Sequence, residues 1–103
     1  MNVTNENFES EVKMSALPVL LDFYAEWCQP CQELAPTVAE LAEEYEGRIK
    51  VCMVDVDEAR ELALSFGVRS IPTLVLLKQG EPVATMVGTR PKAALTEFVN
   101  QVL

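Results

Sequence analysis

The chain has 103 residues, half of them hydrophobic, which suits one domain spanning residues 1–103 and excludes a disordered chain. Sixteen acidic residues against eight basic ones leave a net charge of −8, so a phosphate backbone would repel it and nucleic acid is not an expected partner. No apolar run approaches the roughly 20 residues of a membrane helix, and Met1 to Asn7 lack the basic start and apolar stretch of a signal peptide, so a cytoplasmic protein without membrane contact is expected. A monomer is expected as well.

In chain order, a short strand is expected near Met1 to Thr4, then a helix around Asn7 to Met14 capped by Thr4, Asn5 or Asn7. Pro18 opens the strand Val19 to Tyr24, whose continuous apolar character suits burial on both faces. A long helix follows, with Leu34, Val38, Leu41 and Tyr45 on one stripe and Gly47 at its end. Pro36 lies inside that helix, where it lacks an N–H and crowds the preceding turn, so a kink is expected. Ile49 to Val56 reads as a second central strand, and Asp57 as the N-cap of a short helix through Phe66. Thr73 to Lys78 and Pro82 to Val87 flank a hairpin turn at Gln79-Gly80-Glu81. The last helix starts near Pro91 and buries Ala94, Leu95, Phe98, Val99 and Val102. Strands joined through helices are expected to be parallel and the final hairpin antiparallel, giving an α/β fold with a mixed sheet of about five strands and about four helices.

Chemistry concentrates at Trp27-Cys28-Gln29-Pro30-Cys31, directly after the first buried strand. Two thiols three residues apart at a strand-to-helix junction can close and open a small disulfide ring, and CxxC beside a βαβ pattern is a redox signal. The competing reading is a zinc site, but that needs two further ligands. The chain has no His and only one other cysteine, Cys52, so no metal site is expected. Three cysteines are also too few for a disulfide scaffold. The thiolate is the reactive species, and the unpaired N–H groups at a helix N-terminus favour it at Cys28. Cys31 lies about one turn on, placed to attack a mixed disulfide formed at Cys28. Asp22, a carboxylate inside an apolar strand, is costly to ionise, so its pKa is expected to be raised. The alternative for Asp22 is a structural carboxyl met by a buried backbone or Tyr donor.

Asp22-Phe23-Tyr24-Ala25-Glu26-Trp27-Cys28-Gln29-Pro30-Cys31, Pro36, Ile71-Pro72-Thr73 and Gly88, in this order and spacing, resemble the thioredoxin family over essentially the whole chain. The resemblance implies the thioredoxin fold and a dithiol–disulfide oxidoreductase, an electron carrier that reduces disulfides in other proteins. No bound cofactor is implied, only the redox-active Cys28–Cys31 disulfide, recharged by a reductase-type electron donor. It further implies Cys28 as nucleophile, Cys31 as resolving thiol, and Asp22 in proton exchange with Cys31. An X–Pro bond is cis only about 5–6% of the time in folded proteins. The resemblance nevertheless implies a cis Pro72 packed on the disulfide, leaving the Ile71 backbone free to pair with an extended substrate segment. Trp27, Ala25, Pro30, Val87 and Gly88 would supply the apolar docking surface.

Four residues depart from the family pattern. Gln29 replaces the usual glycine between the cysteines, where about 30 mV of potential corresponds to roughly 1.4 kcal/mol. Gln32 and Met53 stand where many members carry lysine, and the missing cation near Asp22 is expected to raise its pKa further. Tyr24 replaces a common tryptophan. Cys52, in the apolar run of the second strand, reads as a buried and unreactive thiol. Two other functions fit the same residues: a disulfide oxidase or isomerase on this fold, against which Pro30 argues, and a protein-binding subunit whose redox pair is incidental.

Overall fold

The computed structural model describes residues 1–103. Its centre is β1 (Val19–Tyr24), where five of six residues are buried because both sheet faces are covered. β1 pairs in parallel with β2 (Lys50–Asp55) on one side and antiparallel with β3 (Thr73–Lys78) on the other. β4 (Glu81–Val87) joins β3 through a hairpin whose Gln79 and Gly80 both take positive φ, so the sheet order is β2-β1-β3-β4.

Side-chain alternation along these strands sorts the core into two layers. Leu21, Phe23, Cys52, Val54, Val75 and Leu77 face the N-terminal helical turn (Glu9–Lys13) and α2 (Arg60–Ser65). Leu20, Leu74 and Leu76 face α1 (Gln29–Glu44) and α3 (Lys92–Val99). The α1 stripe of Leu34, Val38 and Leu41, with Tyr45 just beyond the helix, is buried as the 3.6-residue period requires, and Pro36 sits within the helix. Gly47, at φ +83°, turns the chain toward β2. A final 3-10 turn (Asn100–Val102) buries Val102 beside Phe98.

Four expectations are corrected by this architecture. The segment near Met1 to Thr4 makes a single bridge, Asn2 to Met53, rather than a strand, so four strands stand where about five were expected. The first helix is one turn of π type preceded by Phe8. Asn7 Oδ1 accepts from the Thr4 N–H instead of capping the turn. Asp57 is not the N-cap of α2, which begins after Ala59; its backbone N–H donates to Asp55 Oδ1 in a tight turn. Finally, β3 runs antiparallel to β1 although a helix precedes it. The six residues of α2 rise about 9 Å against the roughly 20 Å of a six-residue strand, so the helix does not carry the chain back to the far end of the sheet. β3 therefore starts at the end where β1 finishes, which brings Pro72 to the cysteines.

Candidate active site

The site forms where β1 gives way to α1. Cys28 is the N-cap residue of α1, with extended backbone, and its Sγ accepts the Cys31 N–H at 3.2 Å. That N–H is one of the donors a helix N-terminus leaves unpaired, so the sulfur sits where negative charge is favoured. Pro30 in the first turn removes one such N–H without loss, because it would be unpaired anyway. Cys28 and Cys31 form a disulfide with Cα atoms 5.3 Å apart. Both are 5% exposed and pack on Ala25 in a small cluster bordered by Tyr24, Val56 and Ile71.

The loop ahead of the disulfide is held at three points. The Cys28 N–H donates to Ala25 O, Gln32 Nε2 donates to Glu26 O at 2.6 Å, and Trp27 Nε1 donates to Asp57 Oδ2 at 2.7 Å. The sequence reading missed both side-chain bonds: Trp27 and Asp57 lie 30 residues apart and meet only in the tertiary fold, while Gln32 reaches back six residues to Glu26 O across the strand-to-helix connection. Across the site the Ile71–Pro72 peptide bond is cis, and Ile71 O lies 3.9 Å from Cys28 Sγ. Pro72 O accepts the Gly88 N–H at 2.8 Å, tying the end of β4 to the same corner.

Asp22 is 2% exposed, and its Oδ1 has no hydrogen-bond partner. No buried backbone or Tyr donor meets that oxygen. Burial pushes its pKa from 3.8 up to about 7. Its neighbours across the sheet are Met53 and Leu74, neither able to offset the charge. A cleft of about 410 Å³ walled by Cys31, Gln32, Ala35 and Met53 opens beside this corner.

Of the residues expected to form a docking surface, Trp27 is 70% and Val87 46% exposed, Pro30 is exposed, and Ile71 and Gly88 are partly exposed. Ala25 is a correction. At 1% exposure it lies under the disulfide, because the chain is still leaving β1 there, and it supports the cysteines from beneath. Gln29 is exposed on the first turn of α1. Cys52 is wholly buried with its pKa raised, first by desolvation. No group of three or more His, Cys, Asp or Glu is arranged to hold a metal ion. No helix is long and apolar enough to cross a membrane.

A mixed sheet covered by helices, with a CxxC disulfide at a helix N-terminus against a cis-proline, defines a thiol–disulfide oxidoreductase. A model of the thioredoxin family matches residues 1–101. The chain is 48% identical over 101 residues to thioredoxin of Haemophilus influenzae, covering 98% of this chain and 94% of that one. It is 46% identical over 99 residues to thioredoxin of Rickettsia bellii, covering 96% and 94%. Thioredoxin C-2 of Corynebacterium nephridii is 43% identical over 101 residues, covering 98% and 94%. The chain belongs to the thioredoxin family, and its activity is the reduction of protein disulfides.

Proposed function

We propose that Cys28 attacks and Cys31 resolves, with Asp22 exchanging the proton of the resolving thiol. The observation that carries this assignment is the Cys31 N–H aimed at Cys28 Sγ, which stabilises a thiolate at Cys28 and offers nothing equivalent to Cys31. In the dithiol form, the Cys28 thiolate attacks one sulfur of a target disulfide. A Cys28–target bond forms, the target S–S bond breaks, and the departing target sulfur takes a proton. Cys31 then loses its proton, for which the raised Asp22 carboxylate is a matched acceptor near neutral pH. It attacks Cys28 Sγ, closing the intramolecular disulfide and releasing the second target thiol. Two electrons pass to the target, and the chain returns to the disulfide form seen here.

The target docks over Trp27, Pro30, Val87 and Gly88, with an extended segment beside the Ile71 backbone, in the manner of strand addition. The cis Pro72 shapes that wall. Gln29 tunes the balance of dithiol and disulfide from the exposed turn between the cysteines. A reductase-type donor recharges the disulfide, making the chain an electron carrier in the cytoplasm that works as one domain and as a monomer.

Trapping tests the division of labour. Cys31→Ser is expected to accumulate a mixed disulfide through Cys28 with a disulfide-bearing target. Cys28→Ser is expected to lose reductase activity and to trap nothing. Equal trapping by both variants would overturn the assignment.

A further inference from the structure

The face around the disulfide is divided by charge. Glu26, Asp57 and Glu58 are exposed and Asp55 half-buried, and all four wall a cleft of about 500 Å³ between Trp27 and Tyr24. The ion pairs of the molecule are Lys50–Glu11, Lys92–Glu40 and Lys92–Glu44, so none of these four carboxylates has a cationic partner. Three of them act on Tyr24, whose phenol is pushed up by burial first and then by Asp55, Glu26 and Glu58, with Asp22 adding to them from within the strand. Trp27 is tethered into this surround by its N–H on Asp57. On the opposite flank Arg90 Nη1 donates to Val87 O at 2.8 Å, against Gly88. Negative charge therefore lies on the Trp27 side of the disulfide and positive charge on the Gly88 side.

That a polypeptide covers this face follows from the disulfide and the exposed Trp27, not from the carboxylates. The carboxylates decide the charge of what covers it. We propose that the targets of this protein carry a lysine or arginine beside the attacked cysteine, seated against Glu26, Asp57 and Glu58 next to Trp27. The inference rests on Cys28 as the attacking thiol. A cation approaching unpaired carboxylates gains most at low ionic strength, and beyond about 10 Å at 0.1 M salt the gain is screened.

Single-turnover reduction of three peptides tests it, each with one internal disulfide flanked by Lys, Glu or Ser. Each rate with the dithiol protein is divided by the dithiothreitol rate on the same peptide, which removes the peptide's own reactivity. At about 20 mM salt the Lys peptide is expected to react about tenfold faster than the Glu peptide, and at about 300 mM the ratio shrinks toward one. Glu26→Gln with Glu58→Gln is expected to lower the low-salt ratio about threefold. Glu43→Gln with Glu46→Gln makes the same charge change about 20 Å away, at and just past the far end of α1, and is expected to leave the ratio in place. A parent ratio near one, or an equal fall in both double variants, would overturn the proposal. Failure of the parent to reduce even the Ser peptide would instead strike the Cys28 and Cys31 assignment.

Discussion

At its first turn α1 meets a disulfide, a cis-proline wall and a buried carboxylate whose Oδ1 no donor satisfies; at its last turn it meets a closed core. There Leu41 and Tyr45 pack on Leu95, Phe98 and Val99, the Tyr45 hydroxyl donates to Asn100 Oδ1 at 3.0 Å, and Lys92 pairs with Glu40 and Glu44. Every polar group named at that end has a partner. At the redox end, Asp22 Oδ1 is left without a partner and the Cys31 N–H is aimed at the sulfur of Cys28, in the disulfide that carries the electrons. One helix thus carries anchoring at one end and reactivity at the other, and a substitution's consequence depends on which turn it touches.

Asp22→Asn breaks this contrast most. The Asp22 pKa lies at about 7 against 3.8 for an exposed carboxyl, so between these values the native state keeps a proton that the unfolded chain has released. Stability then falls as pH rises through that window and is constant above it. Over about three pH units, at roughly 1.36 kcal/mol each, the loss is about 4 kcal/mol. The Asn variant is expected to lack this slope, gaining about 4 kcal/mol on the parent between pH 4 and pH 8, while its resolving step slows. Urea titrations at the two pH values check the first effect and turnover the second. Leu41→Ala, at the anchored end, is expected to cost about 3 kcal/mol by emptying a packed position, with the reduction potential unmoved. Equilibrium denaturation beside a redox titration separates the two.

Met53→Lys places a cation across the sheet from Asp22 and is expected to lower its pKa by about one unit. The pH midpoint of the Cys31 resolving step would follow it downward. Tyr45→Phe, the smallest change, removes one partly buried hydrogen bond and is expected to cost about 1 kcal/mol with full activity retained.

The elements with strong periodicity were legible in the sequence, and so were the cysteines. β1, α1, β3 and the stripe of Leu34, Val38, Leu41 and Tyr45 follow from patterns within one element. What the residues alone misjudged or missed depended on contacts outside a single element. The antiparallel β1–β3 pairing turns on the shortness of α2, and the burial of Ala25 on where the chain leaves the sheet. The Trp27–Asp57 bond joins residues 30 apart, and Asp57 looked like a helix cap because a cap and a tertiary acceptor need the same short carboxylate. Local composition favoured trans at Pro72, and only the family resemblance argued for cis.

The account stands most directly on the reduction potential of the Cys28–Cys31 couple, measured by equilibrating the protein against defined dithiol buffers. It predicts a value below the cytosolic glutathione poise of about −220 to −260 mV, so that the dithiol form reduces protein disulfides despite Gln29 and Met53. A value above that poise would contradict a reductase and point to an oxidase or isomerase on the same fold.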